Sequence, residues 1–253
     1  MSRVSSNAQQ STAAGGLSIT PDPWLSDVMS REVQRVSGTV DEEGEVQAAR
    51  GLRVVTERPG FRYARVPTHD LRTSHLLERQ GFSIVDTGIT LEVRNMAGGG
   101  GRGRARLAQA TDQKAVEQIA RHSFTYSRFH LDPWIPQDLA DEIKAQWAGN
   151  YFRRQRGDYM VVAEQVGVVA GFLQLLKAAD GALVIDLIAV AMEHREQGLA
   201  EEMIRFAASV CGHPQVLRAG TQCANTGSLG FYQKLGFRIA SSSYVFHNHG
   251  AVR

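Results

Sequence analysis

Two stretches of the sequence carry residues whose types and spacing suit chemistry. In the first, "REQGLA", residues Arg195–Ala200 join an apolar strand to an amphipathic helix. A turn of this kind leaves the first N–H groups of the helix unpaired, and the helix dipole there favours negative charge. Gly198 lets the backbone approach a phosphate closely, and Arg195 adds a cation at the rim. The stretch predicts a phosphate-binding turn, with a plain helix start as the alternative interpretation.

The second stretch, "GTQCANTGSLGFYQKLGFRI", runs from Gly220 to Ile239. It predicts a strand, then a helix that Asn225 leads and that bears Tyr232, and a break at Gly236 before another strand. A phenol on such a helix can donate a proton or a hydrogen bond to a leaving group. The alternative is that Tyr232 is a partly buried aromatic side chain of an amphipathic helix.

The elements that position these stretches follow from the hydrophobic pattern. Three apolar segments, "YMVVAEQ", "GVVAGFLQLLKA" and "ALVIDLIAV", are joined by short turns and predict antiparallel strands. Before them, "RARLAQATDQKAVEQIARHSF" predicts a strand and a helix with Thr111 as its N-cap. Pro136 and Asp138 begin a second helix. The predicted order is strand, two helices, three strands, the phosphate turn with its helix, strand, helix, strand.

This order of elements resembles the GNAT superfamily of acetyl-CoA-dependent N-acetyltransferases. The resemblance implies an α/β (α+β) fold, with a mixed, mostly antiparallel sheet flanked by helices. It implies that the turn holds the pyrophosphate of coenzyme A through backbone amides and that the preceding strand pairs with the pantetheine arm. It also places Tyr232 near the sulfur. The cofactor-binding residues that it implies are Ile188, Ala189, Val190, Arg195, Glu196, Gln197, Gly198, Leu199, Ala200, Asn225, Ser228 and Tyr232.

A segment ahead of the sheet is more specific for the acceptor. "SRFHLDPWIPQDLADEIKAQWAGN" resembles the corresponding segment of GNAT enzymes that acetylate nucleotide-linked 4-amino-4,6-dideoxy sugars. Aromatic side chains stack on a nucleobase, and arginine binds a diphosphate. The alternative is a loop whose aromatic side chains pin it to the core. The substrate-binding residues that we expect are Arg128, Phe129, His130 and Trp134.

Acetyl transfer needs a neutral amine, a polarised thioester carbonyl and a way to protonate the departing thiolate. Because a phenol has a reference pKa of about 10 and a thiol of about 8.5, we expect Tyr232 to donate a hydrogen bond that strengthens as charge builds on sulfur. By the period of two, Asp186 shares a strand face with Ile188 and Val190, and it is the candidate general base. Asp186 can equally cap a loop or pair with an arginine, and Glu164 and a chain of waters are the alternatives for the base.

The residues before the glycine-rich stretch "MAGGGGRGRAR" form a separate block. Its segment "THDLRTSHLLERQGFSIVDTGITLEV" aligns with "CANTGSLGFYQKLGFRIASSSYVFHN", with Asp70 at the place of Asn225 and Leu77 at that of Tyr232. The block therefore lacks the tyrosine, and no phosphate turn precedes Asp70. We predict a disordered tail over residues 1–22, a degenerate half-GNAT domain over 23–95, a flexible linker over 96–105 and a catalytic GNAT domain over 106–253.

Composition argues against several other classes of function. The net charge of +2 gives no field that would favour nucleic acid or a membrane as partner. No apolar run predicts a transmembrane helix or a secretion signal, so a cytoplasmic location is expected. We expect no metal, a small-molecule nucleotide-sugar substrate, and a homodimer, the last from the family and from exposed sheet edges. The alternatives are a GNAT that acts on a protein or another small-molecule amine, and a catalytically silent acyl-CoA sensor.

Overall fold

The computed structural model describes residues 12–99 and 103–250. Their contacts divide the chain into two compact units. Unit 1 contains the residues up to Thr87 and those from Ser243 onward, and unit 2 contains Gly88–Ser242.

The elements that lie within unit 1 are β1 (Thr12–Ala14), β2 (Leu17–Pro21), α1 (Pro23–Met29), β3 (Val33–Gly38), α2 (Glu45–Thr56), β4 (Phe61–Pro67) and α3 (Leu71–Arg79). Strand β5 (Ser83–Arg94) begins in unit 1 and continues into unit 2. The elements that lie within unit 2 are β6 (Ala105–Leu107), α4 (Gln113–Ser123), α5 (Gln137–Gly149), β7 (Tyr159–Gln165), β8 (Val168–Lys177), β9 (Leu183–Val190), α6 (Leu199–Val210), β10 (Val216–Gln222) and α7 (Thr226–Lys234). Strand β11 (Arg238–Asn248) begins in unit 2 and continues into unit 1.

The sheet of unit 2 has the strand order β5-β10-β9-β8-β7-β6. Strands β9 and β10 run parallel, and the other four neighbouring pairs are antiparallel. Side chains alternate between the two faces of a strand. In β7, Val161 and Ala163 therefore lie in the core between the sheet and α6, and Met160 and Val162 lie in the core between the sheet and α4. The predicted mixed, mostly antiparallel sheet flanked by helices is confirmed.

The sequence pattern explains the helix that follows the phosphate turn. Leu199, Met203, Ile204 and Ala207 recur at helical spacing, and all four are buried in α6. Full burial of a leucine, isoleucine or methionine side chain contributes about 1.5–3 kcal/mol. The helix is therefore fixed against the sheet by its apolar face. A 3-10 turn, Met192–His194, and the turn residues Arg195–Gly198 join it to the end of β9.

Unit 1 repeats part of this plan. Its sheet has the order β1-β2-β3-β4-β11, with β3 and β4 parallel and the other neighbouring pairs antiparallel. The chain order β3-α2-β4-α3-β5 matches β9-α6-β10-α7-β11. The two aligned segments cover only the last part of this match, α3-β5 and α7-β11. The turn before α2, however, contains Asp41, Glu42 and Glu43. Three carboxylates would repel a phosphate at this turn.

The last strand of each repeat pairs in the other unit. Residues Gly88–Arg94 of β5 pair with β10 in unit 2, and residues Ser243–Asn248 of β11 pair with β4 in unit 1. The division between the units therefore falls inside two strands rather than in the glycine-rich stretch.

The prediction of a disordered tail over residues 1–22 is wrong for the part that the structure describes. Strands β1 and β2 form a hairpin whose turn uses Gly15 and Gly16 at positive φ. Leu17 and Ile19 are each 3% exposed and pack in the core of unit 1. Because small polar residues surround Leu17 and Ile19, the sequence pattern did not indicate a strand here. Residues 1–11 lie outside the described part of the chain.

The predicted flexible linker also differs from the structure where the structure describes it. The carbonyl of Ala97 accepts a hydrogen bond from Arg205, and Gly98 packs so closely on Ser209 that a Cβ at Gly98 would lie 2.6 Å from the Ser209 Cβ. Both contacts are on α6, so this stretch lies against the helix. Residues 100–102 lie outside the described part.

The start of α4 is a smaller correction. Asp112, not Thr111, is the N-cap of α4. Thr111 lies inside a 3-10 turn, Ala110–Asp112, which Gln109 and Asp112 close with reciprocal hydrogen bonds.

No helix among the described residues is long and apolar enough to cross a membrane.

Candidate cofactor and acceptor site

The two parallel strands of unit 2 separate after a short stretch of pairing. Residues Leu183–Ile185 of β9 pair with Leu217–Ala219 of β10, and the pairing ends there. Beyond it, the β10 side of residues 186–190 has no paired strand among the described residues. An unpaired strand edge of this kind offers N–H and C=O groups to an extended ligand.

A β-bulge marks the point of separation. Gln174 pairs with Leu187 and Leu175 pairs with Ile185, so Asp186 is an extra residue on β9. The bulge changes which face the following side chains occupy. Ile185 and Ile188 therefore both pack in the core between the sheet and α6, and Leu187 packs in the core between the sheet and α4.

The predicted face of Asp186 is consequently wrong. The extra residue places its side chain on the α4 and α5 side, away from Ile188 and Val190. There its carboxylate accepts hydrogen bonds from Trp147 of α5 and from Arg156, whose two nitrogens lie 2.6 and 2.7 Å from its two oxygens. The carboxylate is therefore engaged by Trp147 and Arg156 on the α4 and α5 side of the sheet.

The predicted phosphate turn has the backbone form that a close approach requires. Glu196 has φ +62° and Gly198 has φ +80°, and α6 begins directly after them with no side-chain cap. The first N–H groups of α6 are thus left without a side-chain acceptor. The guanidinium of Arg195, the first residue of the turn, donates to the carbonyls of Val190 and Ser123 at 3.2 and 3.3 Å.

Arg104 contacts this turn, and sequence reasoning did not identify it. Its backbone N–H and its guanidinium bind the carboxylate of Glu202, in the first turn of α6, at 2.7 and 2.8 Å. The guanidinium also donates to the carbonyl of Gln197, inside the turn, and to the side chain of Gln165. The only signal in the sequence was an arginine in a glycine-rich stretch, and the composition of that stretch indicated a flexible linker.

Tyr232 is buried in the apolar core of unit 2. Its side chain is 3% exposed and belongs to the apolar cluster against which Ile188 and Val190 pack. Its ring centroid is 5.1 Å from that of Phe237. Burial in these surroundings raises the pKa of the Tyr232 phenol, so the hydroxyl keeps its proton at neutral pH and serves as a donor.

Asn225 positions this tyrosine through the helix. Its side-chain oxygen accepts the N–H of Ser228 at 3.1 Å and so caps α7. The N-cap and the helix start follow the prediction. The Asn225 side-chain oxygen is committed to the backbone of α7.

The loop expected to bind the acceptor is held by a buried hydrogen-bond chain. The Nε2 of His130 lies 3.0 Å from a carboxylate oxygen of Asp141, and Nδ1 lies 2.5 Å from the hydroxyl of Ser127. Since a carboxylate can only accept, Nε2 carries the ring proton and Nδ1 accepts from the hydroxyl. Burial lowers the pKa of His130, which keeps the imidazole neutral.

The remaining residues of this loop divide into buried and accessible side chains. Phe129 is 1% exposed and packs in the core, with the guanidinium of Arg128 over its ring at 4.4 Å. Trp134 is 75% exposed. Phe129 and His130 therefore hold the loop in place, and Arg128 and Trp134 are the members of the predicted set that a ligand can reach.

Comparison with known proteins agrees with this geometry. The model of the acetyltransferase (GNAT) family matches residues 114–237. The spore coat polysaccharide biosynthesis protein SpsD of Bacillus subtilis is 29% identical over 195 residues, which are 74% of this chain and 66% of that protein. The dTDP-fucosamine acetyltransferase of Escherichia coli is 30% identical over 175 residues, 66% of this chain and 72% of that protein.

A solved structure extends the likeness over both units. A GCN5-related N-acetyltransferase from Kribbella flavida superposes with a TM-score of 0.62 and 16% identity, covering 96% of this chain and 90% of its own. At this identity the likeness concerns the fold. The separated strands, the turn before α6 and the tyrosine of α7 lie within the residues that the family model matches. The chain belongs to the GNAT family of acetyltransferases.

Proposed function

We propose that the protein transfers an acetyl group from acetyl-CoA to the amine of a nucleotide-linked amino-deoxy sugar, of the dTDP-4-amino-4,6-dideoxyhexose type. The observation that carries acetyl transfer is the unpaired edge of β9 that leads into a left-handed turn at the N-terminus of α6. The substrate class is supported by the relative named as a dTDP-fucosamine acetyltransferase, with which this chain is 30% identical.

The residues of unit 2 fit coenzyme A as the donor. Its pantetheine arm contains two amides, and the edge of Ile188–Val190 that faces away from β8 offers N–H and C=O groups to it. The Val190 carbonyl also accepts from Arg195. Its pyrophosphate needs N–H donors, which the turn Arg195–Ala200 and the uncapped start of α6 supply. Gln197, Leu199 and Ala200 contribute through their backbone. Asn225 and Ser228 contribute through the start of α7, the helix that carries Tyr232.

Tyr232 stabilises the departing thiolate. A thiol has a reference pKa of about 8.5, well below the raised pKa of this phenol, so a complete proton transfer from Tyr232 is unfavourable. A hydrogen bond from the phenol strengthens instead as negative charge develops on sulfur, and it is worth more because the site is apolar. A backbone N–H of Ile188–Val190 polarises the thioester carbonyl.

The acceptor amine loses its proton to solvent. An amine with a reference pKa near 8 is about one tenth neutral at pH 7, so a sufficient fraction is ready to attack without a protein base. Arg128 and Trp134 are the accessible side chains of the acceptor loop. We assign Arg128 to the diphosphate and Trp134 to stacking on the base.

The test is thiol release from acetyl-CoA with nucleotide-linked amino sugars, free amino sugars and peptide amines as acceptors. We expect turnover with a nucleotide-linked amino sugar and a loss of about 10²-fold in kcat for Tyr232→Phe. Tyr159→Phe, on β7, is the matched control and should keep its rate. Turnover of peptide amines alone would transfer the proposal to a protein acceptor, and tight coenzyme A binding without any turnover would establish a silent sensor.

A further inference from the structure

We propose that Asp186 is a positioning residue: its carboxylate holds the bulge that parts β9 from β10 and thereby keeps the cofactor-facing strand edge open. Its effect on catalysis rests on the function proposed above. The hydrogen-bonded group formed by Asp186 with Trp147, Arg156 and Gln174 is called the bulge clamp.

The first argument is the place of Asp186 in the sheet. The last residue of β9 that pairs with β10 is Ile185, opposite Ala219. Asp186 follows immediately and is the residue left over between the pairs of β8 and β9. The bulge and the end of the parallel pairing therefore coincide at one residue. A bulge bends its strand and increases the local twist, which turns the following residues of β9 away from β10.

The second argument is the number of donors that meet this carboxylate. Trp147 Nε1 lies 2.8 Å and Gln174 Nε2 3.2 Å from Oδ2, and Arg156 binds both oxygens at 2.6 and 2.7 Å. The Asp186 side chain is 7% exposed, and Gln174 is fully buried. Charge-assisted hydrogen bonds with two-point arginine geometry are among the strong ones.

The third argument is that the donors come from three different parts of unit 2. Trp147 is in α5, Gln174 is in β8, and Arg156 is in the segment between α5 and β7. The guanidinium of Arg156 also lies over the Trp147 ring, 4.9 Å from its centroid. The carboxylate is thus tied to the helix layer and to the neighbouring strand together. Those ties hold the extra residue outward on the α5 side.

The consequence for the site follows from the alternation of side chains. If the bulge were lost, β9 would continue in regular register, and each residue after Asp186 would move to the opposite face. Ile188 would then leave the cluster that contains Tyr232, and the backbone groups that we assign to coenzyme A would turn with it. The bulge clamp therefore acts on cofactor binding rather than on proton transfer.

The variants are Asp186→Asn, which weakens the two-point contact with Arg156, and Arg156→Lys, which keeps the charge and loses the fork. Asp180→Asn is the matched control, because Asp180 is an exposed carboxylate paired with Arg218 in the same unit. We expect Asp186→Asn and Arg156→Lys to raise the Kd for coenzyme A at least tenfold in calorimetry. Because bound acetyl-CoA favours the open form of the strand edge, both should keep kcat at saturating acetyl-CoA within about threefold of wild type, and Asp180→Asn should change neither quantity.

The pH profile separates a positioning role from a role as base. If Asp186 were the base, Asp186→Asn would lower kcat by orders of magnitude and alter the acidic limb of the profile, and that result would overturn the proposal. Unchanged coenzyme A binding in both variants would also overturn it. Hydrogen exchange at Ile188–Val190 measures the pairing of the strand edge without any need for activity. If the edge closes onto β10, its unpaired amides become protected, so we expect slower exchange in both variants. If wild type binds no coenzyme A, the proposed function fails, and exchange still decides whether the bulge clamp holds the strand.

Discussion

Asp70 and Asn225 cap equivalent helices in the two repeats with the same geometry. The side-chain oxygen of Asp70 accepts the N–H of Thr73 at 3.0 Å, and that of Asn225 accepts the N–H of Ser228 at 3.1 Å. The residue seven positions after the cap is Leu77 in α3 and Tyr232 in α7, and both side chains are buried. The helix design is shared by both units, and only unit 2 places a phenol on it.

The proposed mechanism predicts the pH dependence of kcat/KM for the amine. Below about pH 8 the rate should rise roughly tenfold per pH unit, because only the neutral amine attacks. Burial raises the pKa of Tyr232 above its ordinary value near 10, so the phenol stays protonated and the profile should remain flat from pH 8.5 to 10. A descending limb in this range that disappears in Tyr232→Phe would contradict the assignment.

Gly198→Ala tests the left-handed turn. An added Cβ would meet nothing closer than an Arg104 nitrogen at 4.0 Å, so the cost comes from φ +80°, about 1–2 kcal/mol for a residue with a Cβ. We expect the KM for acetyl-CoA to rise about tenfold. Gly181→Ala is the control, since its φ is +83° and the space around it is open. Equal KM changes in the two variants would show that the turn does not bind the donor.

Arg104→Leu should damage both stability and donor binding. Removing the partner of the buried Glu202 carboxylate costs about 3 kcal/mol of unfolding free energy. The double variant Arg104→Leu/Glu202→Leu should regain most of that stability while keeping a raised KM for acetyl-CoA, because the hydrogen bond to the Gln197 carbonyl is still missing. Denaturant titration and steady-state kinetics separate the two effects. Full recovery of KM in the double variant would argue against a role in the turn.

The exchange of strands predicts that the chain from Met96 onward does not fold without the residues before it. A chain that starts at Met96 lacks β5, which pairs with all seven residues of β10, and it leaves the end of β11 without β4. We expect such a chain to aggregate or to lack near-ultraviolet circular dichroism. A chain that starts at Thr12 keeps every described strand and is the control. A soluble, cooperatively unfolding chain from Met96 would refute this prediction.

His130 predicts a loss of stability in acid. Because burial lowers its pKa, the unfolded chain takes up the proton more readily than the folded one. The stabilisation is complete above the unfolded pKa near 6.5 and falls as the pH drops below it, by at most about 1.4 kcal/mol per pH unit. Asp141 opposes this shift and Lys144 adds to it. Denaturant titrations at pH 7.5 and 5.5 should show a smaller difference for His130→Gln than for the exposed control His122→Gln.

Local patterns were sufficient for the elements that carry the site. The three strands β7, β8 and β9 are apolar and bounded by turns, and Asn225 and Gly236 mark the start and the end of α7 in the sequence. These signals depend on residues close together in the chain, and the structure agrees with them.

The parts that sequence reasoning missed depend on distant partners. The period of two assigns Asp186 to the face of Ile188, and only the pairing with β8 reveals an extra residue there. The role of Arg104 depends on its ion pair with Glu202, which lies far along the chain. In β2, Leu17 and Ile19 are only two apolar residues among small polar ones, and their burial follows from pairing with β3. The exchange of β5 and β11 likewise has no local signal.

The exchanged strands also determine when the chain can fold during synthesis. The ribosome releases β4 early, but its partner, residues Ser243–Asn248, is made only after the whole of unit 2. Until then β4 presents an open edge that can pair with another nascent chain. The sheet of unit 1 is therefore completed after translation of unit 2, and the first unit to be synthesised is the last to close.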